Sequence, residues 1–203
     1  MPDQQIVFIL DKIGILAFSF IGVTMGVKKE LDIFGLLVVG VASSIGGGIL
    51  RDLMLAKIPF AISHPDYLMF ANGASILAIL LFYLKLKVPN QILMITDTLG
   101  LSAFTAAGAI VSINLNLSLL HTILFSVITA VGGGLIRDIL LNEIPFILKR
   151  EVYATAAGAG GFIIHIAFIF GLNISYSILL GLISVVTLRF ISIYKDFHLP
   201  LIK

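Results

Sequence analysis

The sequence predicts an all-α membrane protein with seven spanning helices, six of them as a 3+3 inverted repeat and the seventh added at the end. Three observations carry this. Of 203 residues, 59% are hydrophobic and 12% charged, with a mean hydropathy of +1.14, against about 25% charged in a soluble domain. The chain divides into apolar runs close to the ~20 residues that a spanning helix needs. And the segment Gly46-Gly47-Gly48-Ile49-Leu50-Arg51-Asp52 returns 86 residues later as Gly132-Gly133-Gly134-Leu135-Ile136-Arg137-Asp138. Between 46–60 and 132–146, nine of fifteen positions are identical, including Ile58-Pro59-Phe60 and Ile144-Pro145-Phe146. Chance does not supply that match.

The spans read as roughly 6–26, 32–56, 66–86, 91–113, 118–141, 152–171 and 174–194. Short polar stretches separate them: Lys28-Lys29-Glu30, Lys57 to Asp66, Lys85 to Asn90, Asn114 to Asn116, Lys149-Arg150-Glu151 and Asn173. Residues 1–203 thus form a single transmembrane domain, with repeat one over about 6–86, repeat two over about 91–171 and an extra helix over about 174–194. A β-barrel does not fit, since the runs lack period-two alternation and are twice a barrel strand's length. The first ten residues contain no Lys or Arg, so the first span is expected to stay as an anchor rather than act as a cleaved signal.

An offset of 86 residues covers three spans, so the second copy enters the membrane from the opposite side. Other matches share the offset: Asp11 and Gly14 with Asp97 and Gly100, Phe18 with Phe104, and Tyr67 with Tyr153. Basic residues set the orientation. One set of loop and terminal positions holds Lys28, Lys29, Lys85, Lys87, Lys149, Arg150, Arg189, Lys195 and Lys203, whereas the other side has Lys57, with Lys12 and Arg51 inside spans near it. The positive-inside rule places the first set in the cytoplasm of a multi-pass cell-membrane protein, N-terminus out and C-terminus in.

Each glycine triplet falls near the middle of its span. Glycine in a helix interior costs roughly 1 kcal/mol relative to alanine, so three in a row favour a kink or an unwound turn. Freed carbonyls and half-helix N-termini at the midplane are the usual construction of a permeation or transport site. Close helix packing through small residues is the competing reading. Arg51 and Asp52 lie about 10 Å to one side of the midplane at ~1.5 Å per residue, and Arg137 and Asp138 the same distance to the other. Each buried charge costs about 2.5–3.5 kcal/mol at the centre of a spanning helix and must face a partner or water. Adjacent helix residues point apart, so the expected partners are Asp11 for Arg51 and Asp97 for Arg137. The pairs serve as a gate or as a structural lock. Ser43, Ser44, Ser126 and Thr129 either line the path or bond back to their own helices.

The remaining chemistry is sparse. There is no cysteine, no phosphate loop, nucleotide fingerprint or nucleophile motif, and His64, His121, His165 and His198 show no ligand spacing. No enzyme, metal site, cofactor or nucleic-acid partner is expected; the net charge of +2 is too small for the last.

The paired Gly-Gly-Gly-x-x-Arg-Asp motifs, with Pro145-Phe146 and Glu151-Val152-Tyr153-Ala154-Thr155-Ala156, resemble the prokaryotic TRIC family (trimeric intracellular cation channels). That resemblance implies a homotrimer in the lipid bilayer, each protomer with its own potassium-permeable pore framed by the kinked second and fifth spans, and an N-terminus facing out. Bacterial relatives with these motifs are also described as glycine uptake proteins. Animal members carry a lipid-headgroup site and a Lys-Glu-Val signature, from which Lys149-Arg150-Glu151-Val152 departs by one inserted arginine. The leading expectation is a monovalent cation channel passing potassium or sodium. The alternatives are a small amino-acid (glycine) transporter using the same midplane site, and a non-conducting membrane scaffold.

Overall fold

A computed structural model of the protein describes residues 2–85, 88–149 and 152–195. Lys87, Arg150, Glu151, His198 and Lys203 lie outside the described residues. The elements are α1 (Pro2–Lys28), α2 (Ile33–Met54), α3 (Phe60–Ser63), α4 (Pro65–Tyr83), α5 (Asn90–Asn114), α6 (Leu119–Leu140), α7 (Phe146–Lys149), α8 (Ala154–Ile169) and α9 (Ile174–Lys195). Among the described residues there is no strand.

Six helices, α1, α2, α4, α5, α6 and α9, are long and apolar enough to cross a membrane. The run expected over 152–171 forms α8, of only 16 residues. At ~1.5 Å per residue that is about 24 Å, short of the ~30 Å hydrocarbon core. The expected seven spans are therefore six full-length helices and one shorter apolar helix. Two single-turn helices, α3 and α7, occupy stretches read as plain connections. Pro59 and Pro145 explain them: proline's fixed φ suits the position just before or at a helix start, and Pro59 is the N-cap of α3.

The 86-residue offset reappears in the backbone. Left-handed residues follow helix ends at Glu30 and Asn116, at Ala56 and Asn142, and at Lys85 and Gly171. Each closes the helix by a hydrogen bond back across the last turn, as from Leu31 N–H to the Gly26 carbonyl and Leu117 N–H to the Ser112 carbonyl. At the start of α2 the Asp32 carboxylate accepts from Gly35 N–H at 2.7 Å, an N-cap that orders the sharp turn out of α1.

At the centre α1, α2, α5 and α6 pack together; α4 lies on α1 and α2, α8 on α5 and α6, and α9 covers α5 and α8. The contacts are reciprocal. A Cβ at Gly14 would press on the Phe104 ring at 2.5 Å, and one at Gly100 on the Phe18 ring at 2.6 Å. The two rings meet edge to face, centroids 5.3 Å apart. Likewise a Cβ at Gly47 would collide with the Thr129 carbonyl oxygen, and one at Gly133 with the Ser43 carbonyl oxygen. Each pair maps onto the other by the offset, as expected of two halves related by a pseudo-twofold axis.

Of the two forms of break expected at the triplets, the unwound turn is absent. Both α2 and α6 are uninterrupted through Gly46–Gly48 and Gly132–Gly134, so no turn is unwound and no half-helix terminus is exposed. The physical reason is close approach: the absent side chains let the two backbones touch, and the dispersion gained along that contact offsets the low helix propensity of glycine. We predict that Gly47→Ala and Gly133→Ala each cost about 1–3 kcal/mol or more, the range for overpacking. Thermal unfolding of the purified protein should show midpoints lowered by several degrees, whereas Gly73→Ala, whose Cβ would meet open space, should not lower it.

Candidate functional site: two charged vestibules

The last turn of α2 places Arg51 and Asp52 in the interior, 3% and 5% exposed. Arg51 Nε donates to Asp52 Oδ1 at 2.8 Å, and the other carboxylate oxygen accepts from Phe60 N–H at 2.8 Å. The second half repeats this: Arg137 pairs with Asp138 Oδ1 at 2.8 Å, and Asp138 Oδ2 accepts from Phe146 N–H at 2.7 Å. Each aspartate therefore fixes its arginine and ties the proline-led single-turn helix to the end of the long one.

This corrects the expected pairing. Neighbouring helix residues do point apart, but an arginine stem is long enough to curl back along its own helix, and the connection folding over Asp52 or Asp138 holds the carboxylate for it. Asp11 and Asp97 instead serve tyrosines. Tyr67 Oη donates to Asp11 Oδ2 at 3.3 Å, and Tyr153 Oη to Asp97 Oδ1 at 2.9 Å. Asp11 still shares a cavity with Arg51, as Asp97 does with Arg137. The arrangement places all four charged motif residues and both expected aspartates at two sites, one per half.

Each site opens into a vestibule. The first, about 720 Å³, is lined by Asp11, Arg51, Asp52, Lys57, His64 and Tyr67 among others. The second, about 320 Å³, is lined by Thr24, Asp97, Arg137, Phe146, Arg189 and Ser192 among others. The first takes the start of α1 and the end of α5; the second takes the end of α1 and the start of α5. Those helices are therefore antiparallel, and the vestibules lie at opposite ends of the molecule. Between them stand the glycine crossing and the Phe18–Phe104 pair. A void of about 20 Å³ lined by Asp11, Ser44, Gly48 and Phe104 leads from the first towards the crossing.

The candidate hydroxyls divide. Ser44 Oγ donates to the Val41 carbonyl at 2.9 Å and Thr129 Oγ1 to the Phe125 carbonyl at 2.6 Å, both within their own helices. Ser43 and Ser126 are fully buried, and their hydroxyls have no hydrogen-bond partner.

Four residues belong to these sites that the sequence pattern alone left outside them. Tyr67 and Tyr153 register there only as repeat markers. Arg189, counted as a cytoplasmic end charge, is 4% exposed, donates from Nη2 to Asp97 Oδ2 at 3.2 Å, and stands over the Tyr153 ring at 4.8 Å. Its place inside an otherwise apolar run was the signal. Lys12 bridges to Asp66 at 3.1 Å and lies over the rings of Phe8, Tyr67 and Phe70, so Asp66 does more than start a helix. His165 is a structural histidine, 2.7 Å from Thr122 Oγ1.

A family model described as "Glycine transporter" matches this chain twice, over residues 8–83 and 94–170. Escherichia coli K12 "UPF0126 inner membrane protein YadS" is 35% identical over 199 residues, covering 97% of this chain and 96% of that protein. This chain belongs to the prokaryotic TRIC and glycine-transporter family. Another member, "UPF0126 membrane protein YvgT" of Bacillus subtilis 168, is 33% identical and covers 84% of this chain and 87% of its own length. A TRIC cation channel solved to explain conductance matches with a TM-score of 0.86 at 36% identity, over 96% of each chain. The TRIC trimeric intracellular cation channel orthologue from Rhodobacter sphaeroides matches at 0.86 and 29% identity, over 94% of this chain and 98% of that one. The family places this chain among multi-pass membrane proteins.

The geometry separates two kinds of ion pair. Removing one partner of a buried pair leaves an uncompensated charge and costs about 3–5 kcal/mol. Asp52→Asn and Asp138→Asn should therefore sharply lower thermal stability or yield. Lys29 and Glu143 also pair, but at the surface, where such bridges contribute about 0–1 kcal/mol. Lys29→Met should leave the unfolding midpoint nearly unchanged.

Proposed function

We propose that this protein is a monovalent cation channel, passing potassium and sodium, with one complete pathway in each protomer. The observation that carries the reading is the pair of charge-lined vestibules at opposite ends of antiparallel α1 and α5, facing each other across the glycine crossing. Both are built from one chain, so a pore needs no second subunit. Conduction then requires α2 and α6 to part at the glycine crossing, where the two backbones touch. Each arginine is neutralised by the aspartate beside it, so it need not expel a cation. The solved TRIC channels support the same reading.

The orientation with the N-terminus outside makes the first vestibule external and the second cytoplasmic, next to Lys28, Lys29 and Lys195. The duplicated motifs and antiparallel halves fit inverted-topology repeats with α9 added. A homotrimer is the assembly that the trimeric relative suggests.

Glycine transport is the second reading. Two vestibules separated by a closed centre are also what alternating access requires, and the family description names that substrate. Against it, the uninterrupted α2 and α6 offer no half-helix N-terminus for a carboxylate, and both motif arginines are already paired.

Purified protein in planar bilayers under a potassium gradient, with and without glycine, distinguishes the readings. The channel predicts discrete unitary steps that reverse near the potassium potential and ignore glycine, with Arg51→Gln or Arg137→Gln altering the current. A silent bilayer with saturable glycine uptake in matched proteoliposomes would make it a transporter.

A further inference from the structure

The central pair of helices is tied at one end and not at the other. α2 ends at the first vestibule with Arg51 and Asp52, and the connection into α6 passes it at Asn114 and Leu115. α6 ends at the second vestibule with Arg137. The two helices therefore run antiparallel, and each end of the pair brings the turn before one helix to the turn after the other. At the second end those turns are bridged. Lys29, just before α2 begins, pairs with Glu143, just after α6 ends. Both sit in hydrogen-bonded turns. Lys29 lies in the turn that Leu31 N–H closes on the Gly26 carbonyl at 3.2 Å. Glu143 N–H donates to the Asp138 carbonyl at 2.8 Å, so the bridge is anchored on the residue that holds Arg137.

The 86-residue offset puts Leu115 where Lys29 stands and Lys57 where Glu143 stands. The backbone repeats, with Leu117 N–H on the Ser112 carbonyl and Lys57 N–H on the Asp52 carbonyl at 2.9 Å. The side chains do not. Leu115 and Lys57 both line the first vestibule, and among the described residues Lys57 has no ion pair. We propose that the Lys29–Glu143 bridge is a latch on the α2–α6 pair, holding its second end closed while the first end has none. The crossing itself is held by dispersion along a backbone contact, which is lost within a short separation. A charge pair reaches further, and it has to break before the two turns move apart. An exposed bridge is weak against global unfolding, yet its strength corresponds to about a two- to fivefold shift in a conformational equilibrium.

The latch rests on the cation-channel reading for its effect on current, and amide exchange tests it without current. In planar bilayers, Lys29→Gln and Glu143→Gln should each raise the open-to-closed ratio by about two- to fivefold. The two variants change the charge at that mouth in opposite senses, so a shift in the same direction separates a latch from attraction of cations. Exchanging the charges in Lys29→Glu/Glu143→Lys should restore the wild-type ratio. Leu115→Glu, at the position equivalent to Lys29, gives Lys57 a partner and should lower the ratio by installing a second latch. Opposite shifts in the two single variants, a ratio that neither moves, or a double variant no closer to wild type overturns the latch and leaves the channel standing. In a silent bilayer the exchange decides. Hydrogen–deuterium exchange of the purified protein should quicken over 26–33 and 138–146 in both single variants and slow again in the double one. No quickening there overturns the latch, whereas quickening beside a silent bilayer removes the channel reading alone.

Discussion

The direct contact of α2 and α6 backbones at the glycine triplets is the constraint on which the remaining structure hangs. Gly47 against the Thr129 carbonyl and Gly133 against the Ser43 carbonyl fix both the distance and the register of the two helices. From that register follow the positions of their ends, and with them the Arg–Asp pairs, one in each vestibule. The same contact closes the centre. It is held by packing and dispersion, backbone against backbone, while the side chains of Ser43 and Ser126 turn away from it, towards Gly22 of α1 and Gly161 of α8.

Duplication explains the scaffold, and departure from it makes the two ends unlike. Reciprocal contacts such as Gly14 on Phe104 and Gly100 on Phe18 need no more than two copies of one design. The copies even exchange roles in a single contact: Gly40 receives the Ser75 side chain in the first half, and Gly161 receives that of Ser126 in the second. What breaks the equivalence is α9, which packs on α5 and α8 and leaves the first half uncovered. Through Arg189 it puts a fixed cation at one vestibule.

Much of this was legible in the sequence, for identifiable reasons. The 86-residue repeat marks both sites, because Arg51, Asp52, Arg137 and Asp138 recur with their prolines, and Asp11 and Asp97 recur with Tyr67 and Tyr153. Membrane character follows from composition alone. The partners did not follow, because helical periodicity tells where a side chain starts and not where a flexible arginine ends. Expecting Arg51 to avoid Asp52 treated the helix as isolated, whereas the connection through Phe60 holds that carboxylate in reach. An unwound turn at the triplets was expected because propensity is a local quantity, and the gain from backbone contact is set by a partner helix that is not visible from one segment. Arg189 was misplaced for a simpler reason. Charge near a chain end counts towards topology, and only the packing of α9 shows that this one points inward.

The chain has no cysteine, so a single introduced thiol reports without background. The most direct measurement is unitary potassium current in planar bilayers from Ser43→Cys protein during exposure to a charged methanethiosulfonate reagent, with exposed Ile76→Cys as the control. If the crossing of α2 and α6 parts to form the pathway, modification at position 43 reduces or abolishes the current and does so only when channels are open, while position 76 is silent. Current that persists unchanged after complete modification at position 43 would place the pathway elsewhere and contradict this account.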